Sequence, residues 1–387
     1  MKIGFLITLS ENDVNVLLGK VPYKKRQSFL LDLVSYYANR GHNVTIITFS
    51  DIQQDTTFQL NDNIMTYVVN RINHGRIRAF LNFSLEINKV KKILKQVHCD
   101  VIHSQWCYEM AKSALDVLPS KTIITLHDWP DAVCPLIGNY YWRKRQKLGN
   151  YVLAKGHIFT GVSPYIVNLY REKYTGRISL IPNFISNDII FQEPNIEDNH
   201  RLGKIISINN GFNNIKNTKK LIRAFALIKK QYPNSELHLY GSEYEVNGPA
   251  YKWTAMYASL EGITFYGPRN RADIIQALRE VELLIHPSIE ESFGMILIEA
   301  MANKVAVIAG KESGAVPWIL RNGEYGLLVN IKSEKDIAEA AFKYFRDRSL
   351  KNKIKESAFE YVQTTYSLNV VAEEYLQLYK SIITSNL

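Results

Sequence analysis

The sequence lacks the features that would place it in several large classes of protein. Its three cysteines, Cys99, Cys107 and Cys134, are odd in number and fit neither a disulfide framework nor a paired zinc motif. We therefore expect buried thiols in a reducing cytoplasm. No apolar run approaches the ~18 residues that a membrane span needs. The first residues, Met1–Ile7, have neither a basic start nor a small-residue cleavage site, so we interpret them as a buried strand rather than a signal peptide.

The common signatures of nucleotide-dependent and hydrolytic enzymes are also missing from the sequence. There is no Gly-x-Gly-x-x-Gly and no Gly-x4-Gly-Lys-[Ser/Thr], which disfavours a dinucleotide oxidoreductase and a P-loop nucleotidase. His-Glu-x-x-His and Gly-x-Ser-x-Gly are absent, which disfavours the usual zinc and serine hydrolases. No Asp-x-Asp pair is present to hold a metal on a nucleotide diphosphate. We therefore expect no metal site and no cofactor.

What the sequence does contain is typical of a large α/β protein. Its 387 residues are 46% hydrophobic and 22% charged, the proportions of a globular chain long enough for two domains. Short apolar, β-branched runs alternate with amphipathic stretches, and such continuous runs indicate strands buried on both faces of parallel sheets. We predict two Rossmann-like, doubly wound domains. The predicted strands are Lys2–Thr8, Val44–Phe49, Met65–Asn70, Asp100–His103, Thr122–Leu126, His157–Val162, Ile178–Ile181, Lys204–Ile208, Glu236–Tyr240, Ile263–Tyr266, Val281–His286, Val305–Ala309 and Gly326–Val329.

The boundary between the two domains is predicted near Ile181–Phe184. This segment contains Pro182, and the polar, strandless stretch Gln192–Arg201 that follows it is typical of a linker. The predicted domains are residues 1–183 and 184–367. We expect a C-terminal helix at about residues 368–387 to pack back on the first domain.

The positive charge of the chain is concentrated in its first half. Residues 1–190 hold 23 Lys and Arg against 14 Asp and Glu, whereas residues 191–387 hold 24 against 23. This asymmetry favours an anionic partner for the first half, such as nucleic acid, a membrane surface or an acidic substrate. Solvated lysine faces would give the same composition, so both interpretations stay open.

One amphipathic segment of the first half, Glu86–Val97, is compatible with two different environments. Its apolar residues form one helical stripe, which would suit either the core side of a sheet or a membrane surface. Basic residues occupy its other faces, and two more basic clusters lie elsewhere in the same half. Docking on an anionic leaflet would use these groups together. The stripe is Ile87, Val90, Leu94 and Val97, and the basic residues are Lys89, Lys91, Lys92 and Lys95 with Lys24–Arg26 and Arg143–Lys147.

The most informative segment is His286–Ala302. A buried strand ends at His286, a polar loop follows, and the chain turns at Gly294 into a helix whose unpaired N–H groups and positive dipole end suit phosphate. Glu291 precedes this helix and Glu299 lies inside it. These carboxylates are spaced to accept hydroxyl groups on the two sides of a sugar diphosphate. Taken alone, they would more often be solvent-exposed charges.

This segment resembles the Glu-x7-Glu signature of retaining nucleotide-sugar glycosyltransferases with the GT-B fold, glycosyltransferase family 4. The resemblance is strong over residues 181–365 and weaker over residues 1–180, where Ile123–Pro130 and Asp100–Glu109 follow the family pattern. The other matches, in chain order, are Ile181–Phe184, Lys216–Phe225, Leu237–Gly241, Ile263–Gly267, Ser313–Pro317 and Asn322–Val329.

The resemblance implies a GT-B fold, in which two Rossmann-like domains face each other across a cleft. The first domain would bind the acceptor and the second the nucleotide sugar. The implied reaction is a retaining, metal-independent hexosyl transfer from a UDP- or GDP-sugar to a hydroxyl of a glycan or lipid-linked acceptor. Such an enzyme would be cytoplasmic, with peripheral contact to the membrane, and would serve capsule, exopolysaccharide or lipopolysaccharide synthesis without a nucleic acid partner.

The resemblance assigns catalytic roles to His127, Lys216 and Glu291. Lys216 would stabilise the departing diphosphate, because breaking the sugar–phosphate bond builds negative charge on the leaving oxygen. His127 would contact the donor sugar, and Glu291 would hold its hydroxyls without acting as a nucleophile. From the residues alone, His127 would be a hydrogen-bonded strand-end histidine and Lys216 an exposed helix lysine.

The resemblance also supplies the remaining site candidates and two departures from the family pattern. Gly211 stands where the family usually has a phosphate-binding arginine, and we consider Arg269 a substitute. Structural roles are equally open for two of the acceptor-side candidates, His103 and Glu109. The donor-site candidates are Lys216, Gly241, Gly267, Arg269, Glu291, Ser292, Phe293, Gly294, Met295 and Glu299, with Glu299 at the ribose; the acceptor-side candidates are Lys24, Arg26, His103, Glu109 and Asp128.

Three alternatives share the implied fold. One is a soluble transferase that makes a sucrose-, trehalose- or glucan-type product, which would use the same donor motifs. Another is a non-catalytic GT-B subunit that binds glycans or a partner protein, slightly favoured by Gly211. A GT-B sugar-nucleotide epimerase is the third, and the loop spacing disfavours it.

Overall fold

The computed structural model describes residues 1–23, 26–186, 189 and 201–385. The chain forms two compact units. Unit 1 comprises Met1–Pro182 and the C-terminal segment that begins at Leu368, and unit 2 comprises Asn183–Ser367. The chain passes from unit 1 to unit 2 directly after Pro182. Of the stretch Gln192–Arg201, all residues but Arg201 lie outside the described part of the chain.

Unit 1 is built on a twisted sheet to which eight of the described strands contribute, in the order β3-β4-β2-β1-β5-β6-β7-β8. All neighbours pair in parallel except β3, which runs antiparallel to β4 at the edge. The central strands β5 and β6 are buried at every position, as expected for a sheet covered on both faces. The strands are β1 (Lys2–Thr8), β2 (Asn43–Ser50), β3 (Thr56–Asn61), β4 (Ile64–Asn70), β5 (Val101–Gln105), β6 (Thr122–Leu126), β7 (Ile158–Gly161) and β8 (Arg177–Leu180).

Helices connect and cover these strands. Several begin at a polar residue whose side chain accepts a hydrogen bond from the first turn, including Ser10, Asn139 and Ser163. Such caps satisfy N–H groups that have no partner within the helix. The helices are α1 (Glu11–Leu17), α2 (Leu30–Ala38), α3 (Gly75–Phe80), α4 (Ser84–Leu94), α5 (Glu109–Val117), α6 (Pro130–Ile137), α7 (Tyr140–Lys155) and α8 (Pro164–Arg171).

Unit 2 contains a sheet that, among the described residues, has six strands, all parallel, in the order β11-β10-β9-β12-β13-β14. The order reverses between β9 and β12, and ligands of open α/β sheets bind at the carboxyl ends of strands beside such a point. The strands are β9 (Lys204–Ile208), β10 (Glu236–Tyr240), β11 (Ile263–Gly267), β12 (Leu283–His286), β13 (Ala306–Gly310) and β14 (Leu327–Val329). The helices are α9 (Thr218–Gln231), α10 (Pro249–Tyr257), α11 (Arg271–Arg279), α12 (Met295–Ala302), α13 (Val316–Ile319), α14 (Glu334–Arg346) and α15 (Arg348–Thr365).

The last helix, α16 (Leu368–Ser385), belongs to unit 1 rather than to the unit that precedes it in sequence. It packs on α2 and β5. Val371, Tyr375 and Tyr379 on this helix are buried, and the Tyr37 hydroxyl on α2 donates to the carbonyl of Ala372 at 2.7 Å. The first unit is therefore assembled from both ends of the chain.

The predicted fold class is confirmed: both units are doubly wound α/β structures with mainly parallel sheets. Each of the predicted strands forms, with ends that differ by at most two residues. Strand β3 was missed because it lies exposed at the sheet edge and lacks the continuous apolar run by which the others were found. No helix in the described part of the chain is long and apolar enough to cross a membrane.

Candidate active site

The loop that carries Glu291 follows β12 and is held by a neighbouring glycine loop. The Ala315 N–H donates to the carbonyl of Glu291 at 2.8 Å, and the Ser313 hydroxyl donates to the carbonyl of Ser288 at 2.8 Å. Gly314 between them has a φ of +57°, and a Cβ at this position would lie only 2.3 Å from the Glu291 carbonyl oxygen. This close approach requires glycine and fixes the backbone of the Glu291 loop.

A second loop brings Lys216 to the same place. The Asn217 side-chain amide donates to the carbonyl of Pro287 at 3.1 Å and to that of Ile331 at 2.9 Å. The Ile289 N–H donates to the carbonyl of Ile215 at 2.8 Å. Since Asn217 also takes up the left-handed conformation just before α9, its neighbour Lys216 points from the start of this helix toward the Glu291 loop.

Lys216, Glu291 and His286 form a compact charged cluster at the carboxyl end of β12. The Lys216 Nζ lies 2.8 Å from Glu291 Oε1 and 3.5 Å from the Ser288 hydroxyl. The His286 Nε2 lies 3.1 Å from the same Oε1. Burial raises the pKa of Glu291, but the hydrogen bond from His286 and the positive charge of Lys216 lower it more, so that it falls well below its usual range. Glu291 is therefore an ionised carboxylate.

His286 was not predicted as a site residue. It is buried, with 3% of its side chain exposed, and its ring contacts Glu291, one of the two predicted residues. The signal available in the sequence was its position, because it is the last residue of the strand that leads into the motif. A polar side chain at the carboxyl end of such a strand lies where parallel sheets bind ligands.

The helix that follows Glu291 begins at Gly294, whose φ is +90°. No described side chain caps its first turn, so the start of this helix is suited to bind an anion. Ser292 and Met295 flank this position and are half-buried. The Phe293 ring is buried and packs edge-on against Trp318 and Tyr366, which anchors the helix start.

Glu299 lies on the inward side of this helix. Its side chain is 11% exposed and its Oε1 is 3.3 Å from the Arg271 guanidinium. Burial raises the pKa of Glu299, and the nearby Arg271 offsets this only in part. Sequence reasoning missed Arg271, which stands two residues after the arginine that we had considered.

The phosphate-binding arginine of the family has no counterpart with described contacts to this cluster. Arg269 is exposed, and its guanidinium donates to the carbonyl of Pro268 at 3.1 Å. Gly211 has a φ of +92°, a conformation that suits glycine and strains an arginine. The role of Arg269 as a substitute stays a prediction.

The other two glycine candidates end neighbouring strands of the same sheet. Gly241 has a φ of +120°, and a Cβ there would collide with the carbonyl of Asn209. The Gly241 N–H donates to the carbonyl of Gly267, and the Gly267 N–H donates to that of Tyr244, each at 2.9 Å. These glycines shape the loops at the carboxyl end of the sheet, and their contact with a donor stays a prediction.

Unit 1 contains a pocket of about 310 Å³ that is lined by charged and aromatic side chains. Arg78 on α3 contacts Glu86 at 2.6 Å and Glu109 at 3.3 Å, and Arg145 on α7 lies 3.5 Å from Glu109. The aromatic part of the lining is Phe49, Trp106, Tyr108, Tyr141 and Trp142. Paired charges beside aromatic rings can hydrogen-bond and stack on a polar ring-shaped ligand.

Asp128 also lines this pocket. Burial raises its pKa to about 6, although the charge of Arg145 and a 3.1 Å hydrogen bond from the Tyr108 hydroxyl lower it in part. Asp128 therefore titrates closer to neutral pH than an ordinary aspartate.

His127 directly follows β6 and is half-buried. Its Nε2 forms a hydrogen bond with Gln105 Oε1, and its ring centroid lies 4.6 Å from that of Trp106. Burial lowers the pKa of His127 to about 3, so the imidazole is neutral at neutral pH. Gln105 and Trp106 are themselves part of the pocket lining, which places His127 directly behind it.

The structure brings two of the five acceptor-side candidates, Glu109 and Asp128, to this pocket. Arg26 is buried and forms an ion pair with Asp32 at 2.6 Å, and His103 is wholly buried in the sheet. Neither lines the pocket. Lys24 lies outside the described residues. Among the residues that the structure describes, no group of three or more His, Cys, Asp or Glu is placed to hold a metal ion.

The two doubly wound units, with this charged cluster at the carboxyl end of the second sheet, define a glycosyltransferase of the GT-B fold. Residues 27–188 match the family model described as "Glycosyltransferase Family 4", and residues 188–361 match "Glycosyl transferases group 1". The chain therefore belongs to glycosyltransferase family 4, as a group 1 glycosyltransferase.

Relatives and solved structures agree with this assignment. The chain is 23% identical over 376 residues to N-acetyl-alpha-D-glucosaminyl L-malate synthase of Bacillus anthracis, covering 91% of this chain and 92% of that protein. It is 27% identical over 171 residues to the capsular polysaccharide biosynthesis glycosyltransferase CapM of Staphylococcus aureus, covering 43% of each. Sucrose-phosphate synthase of Thermosynechococcus elongatus shares the fold, with a TM-score of 0.78 over the whole of both chains at 18% identity.

Proposed function

We propose that this glycosyltransferase moves a hexose from a UDP- or GDP-sugar to an acceptor hydroxyl with retention of configuration, without a metal ion or cofactor, in the synthesis of a cell-surface polysaccharide. The observation that carries the proposal is the cluster of Lys216, Glu291 and His286 beside the uncapped start of α12. A sugar diphosphate requires three groups: a cation and an anion-binding helix start for its phosphates, and an oriented carboxylate for its sugar hydroxyls.

Lys216 is the group that we assign to the donor phosphates. In the structure its ammonium group is already desolvated in part, with 25% of the side chain exposed, and is balanced by Glu291. A bound diphosphate would share this cation with Glu291. As the sugar–phosphate bond breaks, charge grows on the leaving oxygen, and a cation fixed in position stabilises that charge without rearrangement.

Glu291 is the group that we assign to the sugar hydroxyls. Lys216 and His286 both contact Oε1, so we assign the second oxygen, Oε2, to the sugar. In this mechanism the acceptor attacks from the face that the diphosphate leaves, and the diphosphate takes its proton. Glu291 then orients the donor and forms no covalent bond to it, and His127 is the further residue that we assign to the donor sugar.

The acceptor is assigned to the pocket of unit 1. Its aromatic rings and the paired charges of Arg78, Glu109 and Arg145 suit a carbohydrate, because sugar rings present both apolar faces and hydroxyl groups. The similarity to a capsular polysaccharide glycosyltransferase supports a glycan or lipid-linked acceptor. A small soluble acceptor is the second candidate, because the synthase named for L-malate is matched over nearly the whole chain.

The proposed activity is tested by incubating the full chain with a panel of UDP- and GDP-sugars and measuring the nucleotide released. Wild-type protein is expected to release nucleotide from one donor class, and Lys216→Met to release it at least tenfold more slowly. Lys219→Met, on the first turn of the same helix, is the matched control. Release from no donor, or equal losses in the two lysine variants, would contradict the assignment and favour a non-catalytic subunit.

Membrane contact belongs to the same proposal, but its apolar part differs from the α4 stripe that we predicted. The stripe on α4 packs into the core, with Val90 and Leu94 buried. Lys89 pairs with Asp55, Lys91 pairs with Asp116, and the pairing of Arg26 with Asp32 is described above. Lys25, like Lys24, lies outside the described residues. Lys89, Lys91 and Arg26 therefore have acidic partners, whereas Lys92, Lys95, Arg143 and Lys147 of the predicted set are exposed.

A different surface, which we call the α3 patch, has the composition of a membrane contact. It contains Ile77, Phe80 and Leu85, which are 47%, 73% and 48% exposed, with the exposed Arg76 beside them. Lys144 joins the patch, because its ammonium donates to the Asn82 side chain between Phe80 and Leu85 at 2.8 Å. Apolar residues next to basic ones suit an anionic bilayer.

The α3 patch also adjoins the acceptor pocket. Helix α3 turns Arg78 inward to the pocket and Ile77 and Phe80 outward. A lipid-linked acceptor could thus enter the pocket from a bilayer that touches α3. We therefore propose that the α3 patch docks on the anionic leaflet.

Vesicle sedimentation tests this surface. The full chain is expected to bind phosphatidylglycerol-containing vesicles at low salt and to bind them more weakly at physiological salt. Phe80→Ser should reduce binding severalfold, whereas Met256→Ser, an equally exposed position at 72% on unit 2, should not. Equal binding to phosphatidylcholine vesicles, insensitivity to salt, or equal losses in both variants would contradict membrane docking and favour a soluble acceptor.

A further inference from the structure

A buried chain of hydrogen bonds connects the C-terminal helix to His127. The Tyr379 hydroxyl on α16 lies 2.6 Å from His103 Nδ1, and His103 Nε2 lies 3.0 Å from Gln105 Nε2. Thr125 places its hydroxyl 2.6 Å from the same His103 Nε2. The other end of the Gln105 amide, Oε1, contacts His127 Nε2. The proposed reaction gives no task to Tyr379, His103 or Gln105.

The direction of each hydrogen bond follows from the groups involved. Burial lowers the pKa of His103 to about 3, so its ring is neutral and carries one hydrogen. The amide nitrogen of Gln105 donates, so His103 Nε2 accepts and its Nδ1–H donates to the Tyr379 oxygen. The amide oxygen of Gln105 only accepts, so the hydrogen of His127 lies on Nε2.

We propose that Gln105 is a positioning residue that fixes the tautomer and ring orientation of His127, and that His103 and Tyr379 hold Gln105 in place. The consequence is that His127 presents Nδ1 as an acceptor, the atom suited to a sugar hydroxyl. The importance of this device for turnover rests on the proposed contact of His127 with the donor sugar; the tautomer itself does not.

The geometry favours positioning over simple filling of the core. His103 and Gln105 are two residues apart on β5, so both side chains lie on one face of the sheet, the face that α16 covers. The Tyr379 hydroxyl, both ring nitrogens of His103 and both polar atoms of the Gln105 amide have partners, and a paired buried network specifies one arrangement of its members. Trp106 closes one side of the His127 ring at 4.6 Å, so rotation of that ring is restricted as well.

The test compares Gln105→Met, which keeps the length of the side chain and removes its polar atoms, with wild type. We expect kcat to fall about ten- to a hundredfold with KM for the donor changed less, because a misplaced group lowers turnover more than binding. Nitrogen NMR of the imidazole should show only the Nε2–H tautomer of His127 in wild type and a mixture of tautomers in the variant. A thermal unfolding scan checks that the variant is folded.

Tyr379→Phe tests the far end of the chain without changing any residue that touches His127. It should lower kcat severalfold and broaden the tautomer signal. Tyr170→Phe is the matched control: Tyr170 is equally buried in unit 1, and its hydroxyl bonds to the backbone at Gly176. This control should behave as wild type.

Three results would each contradict one part of this inference or of the proposed function on which it rests. Wild-type kcat with a single Nε2–H tautomer in Gln105→Met would overturn the positioning role. Identical behaviour of Tyr379→Phe and Tyr170→Phe would overturn the role of the C-terminal helix. Full activity of His127→Ala would refute the proposed sugar contact. If the His127 tautomer still differed between wild type and Gln105→Met, the positioning inference would then stand without the sugar contact.

Discussion

The two carboxylates of unit 2 are expected to bind different parts of the donor, and substitution separates them. Glu299 lies four residues after Met295, about 6 Å along the helix from its start, whereas Glu291 precedes the helix and is held by Lys216. If the diphosphate lies at the helix start, Glu299 meets the ribose and Glu291 meets the sugar. Removing Glu299 should therefore weaken nucleotide binding, and removing Glu291 should lower turnover.

The magnitude follows from the contacts that would be lost. Two ribose hydroxyls that donate to the buried Glu299 carboxylate would contribute about 1.5–3 kcal/mol together, which corresponds to about 10- to 150-fold in affinity. Glu291→Ala should leave the affinity for UDP or GDP within about threefold, because its contacts are with sugar and Lys216 stays available for phosphate. Its turnover should fall by about a hundredfold or more.

Isothermal titration calorimetry with UDP and with GDP measures this difference directly. Both Glu299 variants remove the ion pair with the buried Arg271, but Glu299→Gln keeps a side-chain oxygen that can accept a hydrogen bond from it, whereas Glu299→Ala does not. A thermal scan must show that each variant is folded. Glu290→Ala is the control for removing a carboxylate from the same loop. Equal losses of nucleotide affinity in the Glu291 and Glu299 variants would refute the division of roles.

The remaining predictions concern metal dependence, loop packing and pH. Turnover is expected to survive excess EDTA, and a strict requirement for added Mg²⁺ or Mn²⁺ would contradict the metal-independent mechanism. Gly314→Ala should lower turnover at least tenfold, because its Cβ would displace the Glu291 loop; Gly323→Ala, also at positive φ but with open space around it, should cost stability alone. Because burial raises the pKa of Asp128 from 3.8 to about 6, the folded protein holds a proton that the unfolded chain releases, so stability should fall as pH rises from about 4 to 6. The free energy of unfolding, measured in urea, should therefore decrease over this pH range by up to about 3 kcal/mol more in the wild type than in Asp128→Asn.

Much of the fold could be predicted from the sequence because its strands are short, apolar and buried on both faces. Such runs fit only a buried strand. The predicted strand Lys204–Ile208, for example, has the same bounds as β9. The environment of the α4 stripe could not be predicted from its residues. A stripe that packs on a sheet and one that lies on a bilayer have the same spacing, and only the position of β4 and β5 decides between them.

The candidate site could be predicted in part. Lys216 and Glu291 were found by motif, and the structure places them 2.8 Å apart. Their ion pair depends on contacts between two loops that are distant in sequence, such as the hydrogen bond from the Asn217 side chain to the carbonyl of Pro287, 70 residues away. His286 and Arg271 carry no pattern of their own and become visible only when the sheet brings them to Glu291 and Glu299. Composition also does not show which basic residues of unit 1 have an acidic partner, as Lys89 and Lys91 do.

The discontinuous first unit has a consequence for the way the protein is made. During synthesis the ribosome releases residues 1–182, then the whole of unit 2, and only then the helix from Leu368 that covers α2 and β5. Until that helix has been made, the surface on which Tyr375 and Tyr379 pack is exposed, and His103 lacks its hydrogen-bond partner Tyr379. The second unit can therefore fold during translation, whereas the first must wait until the helix that begins at Leu368 has been made. Truncation just before Leu368 would leave unit 2 whole, yet it would expose the apolar surface of unit 1 that this helix covers and make unit 1 a target for chaperones and proteases.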